Sequence, residues 1–234
     1  MFLQKANIIH PEIFFNGTVD SRVTNQKHLG LILTPKLSFD KHIYEKMNKA
    51  KKIIGLLKHL NRYLPLNTLI QMYKSLVRPH VEYCDVIFHL PSINNPPPMG
   101  ISLPSLMSKI ESIQYQAALA VTGTWKGTNR VKLYEELGWE SLSDRRSYKR
   151  IIQLYKIINK MTPSYLLDKL PLTRRNLIEL PNIFQEIRSR TLRYQNSFFP
   201  NAIHTWKLII SHFDDYPGLN QLKCHLLSLF RPNS

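Results

Sequence analysis

Cysteine is almost missing from this chain of 234 residues, which contains only Cys84 and Cys224. Two cysteines exclude a disulfide scaffold and a four-cysteine zinc site, and they favour a reducing compartment. We therefore expect an intracellular protein, nuclear or cytoplasmic. Cys84 and His89 lie five residues apart, but no second pair of ligands follows at the spacing of a zinc site, so we expect no bound metal.

Glycine and long apolar runs are scarce as well. The eight glycines form no Gly-rich phosphate-binding loop, and no serine or cysteine carries the local signature of a catalytic nucleophile. We therefore expect no cofactor. No run of about 18 apolar residues occurs, and residues 1–16 lack the apolar core and cleavage site of a signal peptide. The sequence predicts no membrane-spanning segment.

Acidic residues are half as frequent as basic ones, with 16 Asp and Glu against 32 Lys and Arg and a net charge of +16. This charge favours a polyanionic partner, first nucleic acid and second an anionic membrane surface. A basic solvated surface without any partner is the third interpretation. Apolar residues make up 43% of the chain, which is enough to predict a folded core rather than disorder.

The first part of the chain has the pattern of short β-strands. Asn16-Gly17 follows an apolar run and favours the type I′ turn of a hairpin. Residues 28–33 form an apolar run of strand length, and Pro35 ends this segment. Two or three strands cannot bury a core alone, so we expect them to dock on the rest of the molecule.

Helical periodicity begins at Ser38. An apolar stripe recurs in steps of four and three at Ile43, Met47, Ala50, Ile54 and Leu57. Capping residues and breakers predict further helices: from Asn67 until a kink or interruption at Pro79, from Ser105 to Gly123, from Asn129 to Gly138, from Ser143 to just before Pro163, and over residues 197–210 and 219–230. The fold class predicted is mainly α, a helical bundle with a small N-terminal antiparallel β-hairpin.

The first predicted helix is strongly cationic. Opposite its apolar stripe, or flanking that side, lie Lys41, Lys49, Lys51, Lys52 and Lys58. Glu45 is the single acid between Lys41 and Arg62. A cationic helix face of this kind can lie along a phosphate backbone and bind it independently of sequence, although ordinary solvated lysines would give the same pattern.

A second basic stretch contains Arg145, Arg146, Lys149, Arg150, Lys156 and Lys160. It is a further candidate contact surface, or its charge is neutralised inside the fold by nearby acids, among them Glu140 and Asp144. Of the three tryptophans, Trp139 and Trp206 fall in helical patterns typical of core residues. Trp125, between two glycines and beside a lysine, is the one expected to be exposed and able to stack on bases.

Several blocks together resemble the region just past the catalytic palm of non-LTR retrotransposon reverse transcriptases, of the LINE type and jockey-like. The blocks, in order, are Lys27–Gly30 (KHLG), Leu37–Ile43 (LSFDKHI), Tyr73–Cys84 (YKSLVRPHVEYC), Glu111–Ala118 (ESIQYQAA) and Leu133–Gly138 (LYEELG). The resemblance covers nearly the whole chain from about residue 10. It implies four segments: a palm-end hairpin at 1–35, thumb-like helices at 36–90, a Pro-rich loop at 91–104 and a helical C-terminal region at 105–234.

The resemblance also implies roles for particular residues. The primer grip, a hairpin that holds the primer terminus, corresponds to His28, Leu29 and Gly30. The helices that follow correspond to the thumb, which packs along the primer–template duplex. The family's catalytic pair follows an aromatic residue and one further residue, as aromatic-x-Asp-Asp. Asp214-Asp215 departs from this pattern and lies on the wrong side of the thumb, so we expect turn acids there and no catalytic residues.

We therefore expect a noncatalytic fragment of an RNA-directed DNA polymerase that binds an RNA–DNA hybrid or duplex without sequence preference. Two alternatives remain open. The chain could be a helical interaction module without nucleic-acid function, self-associating through the exposed N-terminal β edge. It could also be the accessory half of an active reverse transcriptase encoded upstream.

Overall fold

Helices dominate the protein, as the sequence predicts. The computed structural model describes residues 14–19, 23–35, 37, 39–88, 103–171, 184–185, 187–195 and 197–230. The expected loop at 91–104 therefore lies largely outside the described residues, and residues 171–193, whose sequence has only weak helical periodicity, are described in part.

The N-terminal half contains four short strands followed by helices. Its elements are β1 (Phe14–Phe15), β2 (Thr18–Val19), β3 (Gln26–His28), β4 (Leu31–Leu33), α1 (Asp40–Leu60), α2 (Leu66–Met72), a π-turn (Tyr73–Val77), α3 (Arg78–Val81) and α4 (Asp85–Phe88). The C-terminal half is helical, with α5 (Leu103–Thr122), α6 (Arg130–Leu137), α7 (Leu142–Ile158), α8 (Ser164–Leu167), α9 (Leu192–Gln195), α10 (Phe198–Ile210) and α11 (Leu219–Phe230).

The strands form two antiparallel hairpins rather than the one expected. In the first, β1 pairs with β2 through Asn16 (φ 49°) and Gly17 (φ 76°), which confirms the predicted type I′ turn. In the second, β3 pairs with β4. The prediction of one continuous strand over 28–33 is wrong, because Leu29 (φ 45°) and Gly30 (φ 80°) form a two-residue turn in the middle of this run.

The apolar stripe of α1 is buried as predicted and packs mainly on α5. The next helix begins at Leu66 after Pro65, so the expected N-cap at Asn67 is wrong by two residues. Of the kink or interruption expected at Pro79, the interruption is wrong. The chain stays helical from α2 through α3, and the π-turn immediately before Pro79 widens the coil where the proline ring would otherwise clash with the carbonyl four residues earlier.

The later helices are bounded largely by the residues that the sequence indicated. Asn129 caps α6, its side chain accepting hydrogen bonds from the amides of Val131 and Lys132. Gly138 ends that helix at φ 61°. By contrast, α7 is capped by Ser141 rather than beginning at Ser143, and α5 already begins at Leu103, before Ser105.

Two hydrophobic cores meet at α7. The first lies among α1, α2, α3, α5 and α6, and the second lies among α7, α10 and α11 around the fully buried Trp206. Because Leu142 belongs to the first core and residues from Ile151 onward belong to the second, α7 connects the two cores.

Candidate nucleic-acid interface

The cationic face predicted on α1 is present and exposed to solvent. Its five lysines, at positions 41, 49, 51, 52 and 58, are all exposed, whereas Ile43, Met47, Ala50, Ile54 and Leu57 are buried. Among described residues, Lys49 is the one of the five that forms an ion pair, at 2.8 Å from Glu45. The charge of the other four is therefore available to an external anion.

The charge of this face extends beyond the helix. No Asp or Glu occurs between Lys46 and Val81, so Arg62, Lys74 and Arg78 add to the cations of α1 without an acid among them. At about 1.5 Å per residue the lysines span on the order of 25 Å, which is most of a turn of duplex. Gly55 lies on the exposed side, and no atom comes within 4 Å of the position of an added Cβ. At this point no side chain projects from the helix, and its backbone is open to a ligand.

Tyr83 holds the grip-like hairpin against α1. Its hydroxyl donates a hydrogen bond to the carbonyl of Leu29, and an added Cβ on Gly30 would lie 2.9 Å from the same hydroxyl oxygen. On the other side, the ammonium of Lys46 lies 4.2 Å from the centroid of the Tyr83 ring. The Tyr73–Cys84 block thus joins the two sets of site residues that the sequence indicated separately.

A buried histidine makes a second connection between the hairpin and α1. The amide of Ile32 donates to Nδ1 of His42 at 3.4 Å, and burial lowers the pKa of His42. The ring of His42 lies against Tyr83 and Phe88, with centroids 6.1 and 5.7 Å away. The hairpin turn is consequently fixed at its base, while Leu29 at its apex is 81% exposed.

The electrostatics around this hairpin are those of an uncompensated cationic cluster. Burial and the charges of Lys46 and Lys49 lower the pKa of His80. Burial, and then repulsion by Lys49 and Lys27, lower the pKa of Lys46 despite the nearby Glu45. Lys27 on β3 therefore adds to the field of α1, so the hairpin and the helix form one positive surface.

Two alanine substitutions at glycine should shift stability in opposite directions. Gly30→Ala places a Cβ at φ 80° and against Tyr83, and we expect it to lower the free energy of unfolding by about 1–2 kcal/mol. Gly55→Ala, on the exposed side of α1 with open space around it, should raise it by about 0.5–1 kcal/mol. Urea denaturation measures both; a Gly30→Ala protein as stable as the parent would contradict the hairpin geometry.

Of the two interpretations of the second basic stretch, neutralisation inside the fold is correct for Arg145, Arg146, Lys149 and Arg150, and a contact surface at these four residues is wrong. Arg146 and Arg150 are buried, each 1% exposed, and burial lowers the pKa of both, that of Arg150 to about 10. Arg145 and Lys149 pair with Glu82 at 2.6 and 2.8 Å. These four cations of α7 therefore stabilise the interior and present no contact surface to a phosphate backbone.

Glu140, which the sequence indicated, pairs with Arg145 at 3.1 Å. Glu82 and Asp85 also neutralise α7, and sequence reasoning missed these two acids. Burial acts to raise the pKa of Glu82, but hydrogen bonds from Arg145 and Lys149 outweigh it and hold that pKa below its usual value. Asp85 is 2% exposed, and burial raises its pKa even with Lys149 at 3.0 Å. These are the only acids between Lys46 and Lys109, an isolation that could have marked them as buried partners.

Other residues of the blocks that resemble reverse transcriptases form the scaffold between the helices. The hydroxyl of Tyr73 donates to Gln114 at 2.9 Å, and Gln114 donates to the carbonyl of Glu140 at 2.7 Å. The carboxylate of Glu111 accepts a hydrogen bond from the amide of Leu142 at 3.1 Å. Residues 26 to 41 positions apart in the sequence meet here, and these side chains fix the start of α7.

The tryptophans and the acid pair lie where the sequence indicated. Trp125 is 89% exposed. Trp139 stacks on Tyr73 with centroids 3.9 Å apart, and Trp206 is buried. Residues 214–215, the two aspartates, are exposed in the bend after α10, away from the grip-like hairpin in sequence and on no strand.

The cysteines and histidines form no metal centre among the described residues, which contain no group of three or more ligands able to hold an ion. Cys84 is half-buried at the edge of the first core, with φ 58°, close to the core position expected for it. Cys224 is exposed. Next to Cys224 in the sequence, His225 places its Nε2 3.2 Å from Nδ1 of His212.

No helix within the described ranges is long and apolar enough to cross a bilayer. Comparisons of the chain with models of protein families, with curated proteins and with solved structures find no match. The resemblance to reverse transcriptases accordingly stays a prediction from the sequence blocks, and the function has to be argued from the surface itself.

Proposed function

We propose that this chain binds duplex or hybrid nucleic acid without sequence preference, as a noncatalytic, thumb-like part of a LINE-type RNA-directed DNA polymerase. The observation that carries the proposal is the face of α1, where Lys41, Lys49 and Lys52 lie opposite a buried apolar stripe and Lys51 and Lys58 flank that side, all five exposed. The helix is anchored to the core through its stripe, so the backbone that carries these charges is fixed.

A row of lysines suits a phosphate backbone because binding releases the counterions condensed on the nucleic acid. The gain depends on the number of phosphates neutralised and is independent of the bases. Lys27 extends the positive surface toward the β3–β4 hairpin, since its charge is among those that lower the pKa of Lys46. The lysine ammonium is not a planar, bidentate donor matched to base edges, so a surface built mainly of lysines favours nonspecific binding.

The hairpin supports the orientation that the resemblance implies. His28 and Leu29 are exposed, and the Leu29–Gly30 turn is pinned by Tyr83 beside the cationic row. If the end of a nucleic-acid strand lay against this turn, the duplex that contains this strand would extend along α1. In this proposal His28, Leu29 and Gly30 contact the primer end, and the lysines of α1 contact phosphates.

Binding to an RNA–DNA hybrid should weaken steeply with salt. With about five lysine–phosphate contacts, we expect affinity to fall on the order of several hundred-fold between 50 and 200 mM NaCl. Fluorescence anisotropy with two hybrids of unrelated sequence measures this, and both should give the same curve. Primer extension with Mg²⁺ or Mn²⁺ on the same hybrid should give no product.

Three results would each contradict a part of this proposal. A strong preference for one of the two hybrids would remove sequence independence. Affinity that is insensitive to salt, or no greater than for a neutral polymer, would remove the phosphate contacts and favour the helical interaction module instead. Metal-dependent primer extension would overturn the noncatalytic part alone.

A further inference from the structure

The C-terminal ends of α1 and α5 meet at one point of the surface. The side-chain amide of Asn61, just after α1, donates to the carbonyl of Val121 at 2.6 Å. Gly123, just after α5, has φ 74°, and an added Cβ there would lie 3.0 Å from Oδ1 of Asn61. The chain segments that leave the two helices therefore start side by side.

Each of these segments carries an exposed aromatic ring two residues beyond the junction. Trp125 is 89% exposed and Tyr63 is 71% exposed. Large aromatic side chains usually bury most of their surface, so two of them held in solvent at one place need a reason. Core packing supplies none, since neither ring belongs to either hydrophobic cluster.

The Trp125 loop is fixed rather than loosely attached. The hydroxyl of Tyr115 accepts from the amide of Gly127 at 3.1 Å and donates to the carbonyl of Thr128 at 2.8 Å. Thr128 in turn donates to the carbonyl of Trp125 from its amide, at 3.1 Å, and from its hydroxyl, at 2.7 Å. The backbone that presents the indole is thereby tied to α5, so the ring is preorganised to receive a planar ligand.

The surroundings of the two rings are cationic. Arg62 and Lys126 are direct sequence neighbours of Tyr63 and Trp125, and both are exposed. Lys58 lies one helical turn before Arg62 on the cationic face of α1. No Asp or Glu occurs from Ser112 to Tyr134. These charges would not strengthen the binding of an apolar protein partner. A nucleic-acid strand, by contrast, has phosphates that pair with cations and bases that stack on aromatic rings.

We infer that Trp125 and Tyr63 form a stacking platform for unpaired bases at the end of the cationic α1 face. The platform takes single-stranded nucleic acid that continues from a duplex lying along α1: the phosphates contact Arg62 and Lys126, and the bases stack on the indole. This inference rests on the proposed function and deepens it, because it names a junction between duplex and single strand as the preferred substrate. Stacking tolerates any base, so the platform keeps binding sequence-independent.

The test compares a blunt duplex with the same duplex carrying a single-stranded extension. We expect the parent protein to bind the extended form more tightly. Trp125→Ala should remove this preference, a loss of about 5- to 150-fold for one stacked base, and leave affinity for the blunt duplex unchanged. Trp125→Phe, which keeps a flat ring, should retain most of the preference. Equal losses on both substrates, or no loss on either, would overturn the platform.

Tryptophan fluorescence gives an independent readout. Trp206 is buried and Trp139 is stacked on Tyr73, so Trp125 is the indole accessible to a base. Binding of the extended duplex should quench the emission, and the Trp125→Phe protein should show no such quenching. Quenching that persists in Trp125→Phe would overturn the assignment.

The failure of this inference can be told apart from failure of the proposed function. If salt-dependent duplex binding is intact but Trp125→Ala leaves the preference for the extended substrate unaltered, only the platform is wrong. If neither substrate binds in a salt-dependent manner, the proposal that the cationic face binds nucleic acid is wrong. The stacking platform, which depends on that proposal, is then wrong as well.

Discussion

Replacing Lys49, Lys51 and Lys52 together with Glu should lower affinity for a nucleic-acid duplex on the order of several hundred-fold at 0.1 M salt. The loss of three phosphate contacts alone accounts for this factor through counterion release, and the new negative charges add repulsion. All three side chains are exposed, and the single described ion pair among them, Lys49 with Glu45, is a surface pair worth about 0.5 kcal/mol or less. The fold should therefore persist, as circular dichroism can check.

The control makes the same change of charge elsewhere. Lys156, Lys169 and Arg188 are exposed and lie outside the α1 face, and reversing them to Glu gives an identical net charge. We expect at most a modest loss of affinity from this second variant. If the two variants bind equally weakly, the overall charge of the protein governs binding, and α1 is not a specific contact surface.

Asp85→Ala should be the most destabilising of the substitutions considered, lowering the free energy of unfolding by about 3–5 kcal/mol. Asp85 is buried between Lys149, at 3.0 Å, and Arg146, at 3.9 Å. Its removal leaves the guanidinium of Arg146, 1% exposed, without its closest counter-charge. Urea denaturation followed by circular dichroism gives the value, with Asp168→Ala, at an exposed acid, as the control expected to change it little.

A double substitution tests the cause of this loss. When Arg146→Met is added to Asp85→Ala, no buried charge remains uncompensated at that position, and apolar replacement of a buried pair is often neutral or stabilising. We expect the double variant to recover a large part of the lost free energy. A double variant less stable than the single one would show that Arg146 stabilises the fold through its hydrogen bond to the carbonyl of Val81 rather than through Asp85.

Local periodicity and capping were sufficient to predict most of the helices. The α1 stripe is buried as its spacing indicates, and Asn129 and Gly138 bound α6 as expected. These features depend on residues within one or two turns of each other, so the sequence displays them directly. The error at Pro79 arose because a proline is compatible with a continuing helix when the preceding turn widens, and nothing in the local pattern shows that widening.

Charge counting within one segment left the state of α7 open because most of the compensating acids come from elsewhere in the chain. Arg145 and Glu82 are 63 residues apart, and Lys149 and Asp85 are 64 apart. The cations of α1 have no such distant acidic partners among the described residues, so for them the same reasoning placed an exposed face correctly. The local pattern does not distinguish the two cases, since both are basic stretches with apolar residues at helical spacing. The isolated acids Glu82 and Asp85 were the one signal in the sequence that could have separated them.

The joining of the hairpin to α1 was likewise beyond prediction. The resemblance implied a grip at residues 28–30 and a thumb after it, but not the residue that connects them. Tyr83 does so by contacting Leu29 and Lys46 at once. The platform at Trp125 depends on a similar long-range contact, between Asn61 and Val121, which only the fold brings about.

The most direct test of the cationic face of α1 is the salt dependence of binding for the parent protein and for a variant with Lys49, Lys51 and Lys52 changed to Gln. The slope of log affinity against log salt concentration counts the phosphates contacted. We expect the variant's slope on B-DNA to be shallower by about 2.7, one increment of about 0.9 for each lysine removed. An unchanged slope would mean that these lysines touch no phosphate, and it would contradict the account.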